Sequence, residues 1–213
     1  MPFIKRDVMI CIIDYSMGNL HSVKNACDHL GLDAFIGSET DDLKRADSLI
    51  LPGVGAFPDA IEALESKGLA EAIINEARDG KPLLGICLGM QLLFGYGNEH
   101  KRKKGLGLIS GEVIPLDVSS DKTLKIPHMG WNSLDIKKES AITKGVANGS
   151  CVYFVHSFRA DTDTDNVIAS SFYGETIPAL VHAPGTNIYG AQFHPEKSHT
   201  TGLTMLKNFG EIK

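Results

Sequence analysis

Along the first half of the chain, short unbroken apolar runs alternate with stretches in which apolar residues return every three or four positions. Val8-Met9-Ile10-Cys11-Ile12-Ile13 is continuous, the pattern of a strand covered on both faces. Leu20, Val23, Cys27 and Leu30 then recur at helical spacing, and Gly31 supplies the stop. Ala34-Phe35-Ile36 and Ser48-Leu49-Ile50-Leu51 read as two more strands. Ile61, Leu64, Leu69, Ile73, Ile74 and Ala77 predict helix, broken near Gly68. Leu83-Leu84-Gly85-Ile86 is a strand running into Cys87, with a helix carrying Met90, Leu92 and Leu93 behind it. Alternation of this kind predicts an α/β fold with a mostly parallel, doubly wound sheet.

The second half changes texture. Val113-Ile114, Leu134-Asp135-Ile136, Cys151–Val155, Val167-Ile168-Ala169 and Ala179-Leu180-Val181 read as strands with few helices between them, which adds antiparallel strands to the sheet. Ile188–Phe193 is the strand that delivers His194, and Leu203, Leu206 and Phe209 lie on a closing helix. No repeat, low-complexity stretch or linker divides the chain, so 1–213 reads as a single domain.

Composition narrows the function classes. With 43% hydrophobic and 22% charged residues, the chain can bury a core without metal or disulfide support. A formal charge of −5 argues against nucleic-acid binding, which needs a basic surface. No apolar run approaches the roughly 20 residues of a membrane span. Met1–Asp7 lacks a signal-peptide core, which makes the cytoplasm the expected location. The spacing of the four cysteines fits neither a zinc site nor a disulfide framework. Cys11, Cys27 and Cys151 are expected to be buried reduced thiols.

Cys87 stands apart. Gly85-Ile86-Cys87-Leu88-Gly89 puts it between glycines where a strand turns into a helix, the geometry that presents a nucleophile. A thiol with a pKa of about 8.5 needs help to ionise, from helix-terminal N–H groups and from a neighbouring histidine. Taken alone, the motif favours a nucleophile over the alternative, a tight turn with a buried thiol. His194-Pro195-Glu196 supplies the complement. Proline disfavours the helical region for the residue before it, and in an extended segment residues i and i+2 share a side. Glu196 can then orient one imidazole nitrogen while the other faces the nucleophile. A lone His-x-Glu is usually a surface pair; the strand and the cysteine turn favour the catalytic reading. The glycines of Pro52-Gly53-Val54-Gly55 could turn backbone N–H groups toward a developing oxyanion, beside that of Leu88, but by itself the segment fits a plain strand exit at least as well.

Taken together, Cys87 with Gly89 and Gln91, Pro52–Gly55 and His194-Pro195-Glu196 resemble the signatures of the class I, triad-type glutamine amidotransferases. Ile13–Leu20, Pro127-His128-Met129-Gly130-Trp131-Asn132 and Tyr153–Ser157 are similar to one branch, the glutaminase subunits of imidazole glycerol phosphate synthases in histidine biosynthesis. The likeness runs from about Met9 to Phe209; residues 1–8 are an extra lead. It implies a flavodoxin-like fold, hydrolysis of L-glutamine to glutamate and ammonia through a Cys87 thioester, and no cofactor or metal. His194 would be base and then acid, with Glu196 orienting it. Gly53, Val54 and Leu88 would form the oxyanion hole, and Gln91, Glu99, His156 and Ser157 would hold glutamine. The resemblance further implies a heterodimer with a (β/α)8-barrel cyclase subunit that receives the ammonia, Asn19 and Trp131 facing it.

Several residues keep two readings. Glu99 suits the α-amino group of glutamine, or is a solvated glutamate. Trp131 anchors an interface or fills the core. The basic run His100–Lys104 reads as a solvated loop, with contact to a phosphorylated substrate or an acidic partner as the alternative. Ser16 stands where the family usually has a small residue such as glycine. Rival functions are a related glutaminase serving another synthase, for example in surface-sugar amidination, a stand-alone cysteine hydrolase, and a non-catalytic binding module.

Overall fold

The computed structural model describes residues 8–213, so the Met1–Asp7 part of the expected lead lies outside the described residues. The first half follows its hydrophobic pattern. β1 (Met9–Ile13) leads through α1 (Leu20–His29) to β2 (Asp33–Gly37), and α2 (Thr40–Arg45) leads to β3 (Ser48–Gly53). Then α3 (Phe57–Ser66) and α4 (Leu69–Arg78) precede β4 (Leu83–Cys87) and the short α5 (Leu88–Leu92). Gly68 separates α3 from α4 at the expected place, with φ +68 in the left-handed region that glycine tolerates. The apolar pattern gives no sign of α2. This helix buries only Leu43, too little to show a period.

The second half is richer in strands than expected. It contains β5 (Phe94–Gly97), β6 (Lys103–Lys104), β7 (Ile109–Pro115), β8 (His128–Ser133) and β9 (Asp135–Ile136). After these come β10 (Cys151–His156), β11 (Phe158–Asp161), β12 (Val167–Tyr173), β13 (Glu175–His182), β14 (Ile188–Ala191) and the closing helix α6 (His199–Gly210). β5 and β8 escape a pattern search because glycines interrupt them and polar residues dominate β8. β14 is shorter than expected. Gln192 and Phe193 already lie in the bend that hands the chain to His194.

The main sheet has eight strands in the order β2-β1-β3-β4-β14-β13-β12-β9. From β2 to β14 the pairs are parallel, and from β14 to β9 they are antiparallel. β1 explains its own apolar run. Cys11 and Ile13 join Leu49 and Leu51 in the core on one face, while Ile10 and Ile12 join Ile50 and Leu84 on the other. One expectation fails here: Cys151 is exposed rather than buried, because it opens β10 at the edge of a two-stranded ribbon with β8. Among the described residues no helix is long and apolar enough to cross a membrane.

Two small sheets stand over the carboxyl end of the parallel strands. β10 pairs with β8, matching His156 with His128 and Tyr153 with Trp131. β11, β7, β5 and β6 form the other. The crevice at the ends of β3 and β4 therefore acquires walls, and open α/β sheets bind their ligands at such ends.

Candidate active site

Cys87 ends β4 with φ 55 and ψ −112, a conformation that non-glycine residues rarely hold. The strain swings its side chain off the sheet and into the crevice. Register pairs Cys87 with Gly53 at the end of β3. Gly89 packs so closely on β3 that a Cβ there would run into the Leu51 carbonyl oxygen, and a Cβ on Gly53 would lie 2.6 Å from the Tyr15 hydroxyl. The helix behind Cys87 is only five residues long. Its help to a thiolate therefore comes from first-turn N–H groups rather than from a long helix dipole. The Cys87 thiol donates to the Val155 carbonyl at 3.7 Å. By contrast, burial pushes Cys11 up to about 12 and Cys27 up to about 11, which leaves them as inert thiols.

His194 and Glu196 meet as their spacing predicts, by a different backbone route. The segment Pro195–Lys197 is a 3-10 turn, not an extended strand. The turn still brings His194 Nδ1 to 2.8 Å from Glu196 Oε1, both side chains being almost fully buried. Two further bonds set the backbone: His194 N–H donates to Tyr153 O at 2.9 Å, and Ser198 Oγ donates to His194 O at 2.6 Å. Ser198 also accepts from Tyr153 N–H at 3.0 Å, and no sequence signal marks this clamp. Among the described residues His194 Nε2 is buried without a conventional hydrogen-bond partner. Burial alone would lower the imidazole pKa, but Cys87 and Glu196 outweigh it and raise it to about 9. The ring is thus held as a cation between two groups able to be anions.

A cavity of about 310 Å³ opens in front of these residues, the size class of a small ligand. Of the residues expected at the site, Cys87, His194, Val54, Leu88, Gln91, Glu99, His156 and Ser157 line it. Gly53 lies behind, under the nucleophile turn, and Glu196 lies behind His194. Glu99 is no freely solvated carboxylate. It accepts the Phe57 N–H at 2.7 Å at the start of α3, with Glu99 on the cavity wall. Gln91 is buried and donates to Phe158 O at 3.1 Å and Gln192 Oε1 at 3.1 Å. Sequence reasoning misses Phe158 and Gln192, because neither has a side-chain chemistry that a pattern search would notice.

Asn19 and Trp131 lie away from the cavity lining. Asn19 occupies the N-cap of α1 yet makes no capping bond with its side chain. Trp131 is 48% exposed and stacks on His199 at 4.8 Å, so it is not a core residue. With Met129 on the same face of β8, and Ile126 and Phe172 also exposed, it belongs to a set of large apolar side chains open to solvent. The basic run is mostly exposed and makes surface pairs within the chain: Lys103 pairs with Glu65 at 3.1 Å, Lys101 with Glu62 at 3.5 Å, and Arg102 lies over the Tyr96 ring. Ser16 holds φ +75, which explains why glycine suits that position, and its hydroxyl accepts from Lys67 at 3.0 Å. Among the described residues no group of three or more His, Cys, Asp or Glu is arranged to hold a metal ion.

Comparison with known proteins agrees with this geometry. The family model described as "Glutamine amidotransferase class-I" matches residues 11–212. The chain is 48% identical over 206 residues to the imidazole glycerol phosphate synthase subunit HisH of Shouchella clausii, covering 96% of this chain and 98% of the relative. It is 51% identical over 205 residues to the HisH subunit from Caldanaerobacter subterraneus, with the same coverage of 96% and 98%. Among solved structures, PurLQS from Thermotoga maritima is similar with a TM-score of 0.75 at 20% identity, covering 95% of this chain and 97% of that one. A glutamine amidotransferase from Thermotoga maritima gives 0.62 at 14% identity, covering 89% of this chain and 76% of that one. At such identities the structures speak for the fold alone.

Proposed function

This chain belongs to the class-I glutamine amidotransferase family, and from that premise we infer that it is the glutaminase subunit of an imidazole glycerol phosphate synthase, working with a partner subunit. The observation that carries the chemistry is one buried imidazole, held between Cys87 and Glu196 beside a cavity of about 310 Å³.

In the proposed reaction the proton of Cys87 has already passed to His194, and the thiolate of this pair attacks the side-chain carbonyl carbon of L-glutamine. Negative charge develops on the carbonyl oxygen, where the N–H of Leu88 and one from the Gly53–Val54 segment stabilise it. His194 returns the proton to the departing nitrogen, ammonia leaves, and a γ-glutamyl thioester remains on Cys87. Water, deprotonated by His194, then releases glutamate. Glu196 keeps the ring oriented and its cationic form stable throughout. Glu99, which lines the cavity, would receive the α-ammonium of glutamine, with Gln91, His156 and Ser157 as the other glutamine-holding residues; their common place on the cavity wall supports this.

The receiving partner is proposed to be a (β/α)8-barrel cyclase, and the cytoplasm is the proposed place of work. The exposed Trp131 and Met129 of β8 support a docking face, and Asn19, whose side chain makes no capping bond, is proposed to join it. The test is a glutaminase assay of the chain with and without a purified cyclase and its ribonucleotide. Strong stimulation by the partner is expected, as when assembly shifts a population toward the competent state. Equal turnover with and without it would reject the coupling. Cys87→Ala should abolish glutamine-dependent synthesis while sparing synthesis from added ammonium.

A further inference from the structure

Two histidines that take no part in the proposed proton transfers form a chain of hydrogen bonds whose proton positions follow from geometry. His156 Nδ1 lies 2.8 Å from the Phe158 carbonyl, which can only accept, so this nitrogen carries the hydrogen. In the neutral ring Nε2 is then an acceptor, and His128 Nδ1, 3.0 Å away, donates to it. His128 Nε2 is left to accept from Asn132 Nδ2 at 3.5 Å, while that amide also donates to the Phe172 carbonyl at 2.8 Å. The His128 ring is fixed by stacking between Tyr173 at 3.9 Å and Phe154 at 4.8 Å. Burial lowers both histidines to about 4, which keeps the rings neutral at working pH.

The same Phe158 carbonyl accepts from Gln91 Nε2 at 3.1 Å, and that nitrogen also donates to Gln192 Oε1 at 3.1 Å. Both amide hydrogens of Gln91 are thereby committed, and only its carbonyl oxygen is available to the cavity. His156 likewise has both ring nitrogens engaged, so its imidazole brings no spare donor to glutamine. What it does contribute is a fixed wall.

We propose that His128, which does not line the cavity, is a positioning residue of the glutamine site: it locks the His156 ring, and through the shared Phe158 carbonyl that ring fixes the Gln91 carboxamide. The proposal rests on the reading of the cavity as a glutamine site. It separates His128 from the proton-transfer chemistry, so its loss weakens capture of the amino acid rather than the reactivity of Cys87.

The test labels Cys87 of the full chain with a diazoketone analogue of glutamine, and in parallel with iodoacetamide, which needs no glutamine site. His128→Phe keeps the stack and removes the hydrogen bond. It should raise the half-saturating analogue concentration about tenfold and leave the limiting rate within about twofold. His128→Asn restores a donor where Nδ1 stood and should recover saturation to within about threefold of the native value. Iodoacetamide labelling should be the same in all three proteins. Equal saturation in His128→Phe and native chain overturns the proposal, as does equal impairment of the Phe and Asn variants. If iodoacetamide labels native Cys87 but the glutamine analogue does not, it is the glutamine reading itself that fails. Nitrogen NMR of the unmodified chain gives a check that needs no variant to fold: His156 as the Nδ1–H tautomer supports the proposal, and the Nε2–H tautomer overturns it.

Discussion

His194 and the His128–His156 pair are buried imidazoles around one cavity, yet their surroundings drive them in opposite directions. Burial acts on all three and favours the neutral ring. At His128 and His156 the neighbours are carbonyls, an amide and each other, so nothing overcomes burial and the pKa falls to about 4. At His194 the Cys87 and Glu196 side chains overcome it, and the pKa rises to about 9. Depth of burial does not decide the charge of a histidine; the sign of what stands within hydrogen-bond reach does. One region thereby gains a proton carrier and the other gains a rigid, uncharged wall.

Removing the side chains that distinguish the two regions should have the largest effect. Cys87→Ala is expected to cut glutamine turnover by at least about 10⁴-fold and to lower the pKa of His194, read by NMR titration of its ring. A ring that still titrates near 9 in that variant would place the source of the shift elsewhere. Glu196→Gln keeps the shape and removes the charge. It should lower kcat about 10³-fold with a KM for glutamine within about threefold, as measured by steady-state assay.

Stability against pH separates the regions next. His194, raised in the fold from 6.5 to about 9, contributes stability that is complete below pH 6.5 and lost as pH rises through about 9. His128 and His156, lowered from 6.5 to about 4, act on the other side. Above pH 6.5 they cost nothing, and as pH falls toward 4 the unfolded chain takes up protons that the fold refuses. A loss of about 2–3 kcal/mol per ring is expected over that interval in urea denaturation at a series of pH values. Cys87→Ala should flatten the alkaline arm alone, and His128→Phe should remove roughly half of the acid arm.

The smallest effect on the isolated chain is expected from Trp131→Ala. Half exposed and stacked on His199, Trp131 should cost no more than about 1 kcal/mol of stability on removal. The variant should keep the basal labelling of Cys87, yet weaken association with the cyclase about a hundredfold or more in a titration.

Legibility in the sequence follows the strength of local constraint. β1, β3 and β4 are buried on both faces and read as unbroken apolar runs, while glycines mark the turn at Cys87. Cys87, His194 and Glu196 converge although about a hundred residues separate the nucleophile from its partners, because β14 lies beside β4. The reach of Glu196 is legible but its backbone is not, since proline admits a 3-10 turn as readily as an extended segment. The Ser198 clamp, the shared Phe158 carbonyl and the surface pairs of the lysines are invisible for a common reason. Each depends on which distant elements meet, and a serine, a main-chain carbonyl or a basic run carries no sign of its partner. Cys151 defeats a strand pattern because such a pattern does not say whether the strand lies at an edge.

The contact of Gly89 with the Leu51 carbonyl has a consequence for how such an enzyme can vary through evolution. Backbone meets backbone there, with no side chain between the nucleophile turn and the neighbouring strand. The spacing of Cys87 from the Gly53–Val54 segment is therefore set by atomic radii, which no substitution can retune. Adaptation to a new acyl donor or a new acceptor must be written in side chains of the surrounding 126–133 and 155–158 walls. The reaction itself is carried forward unaltered.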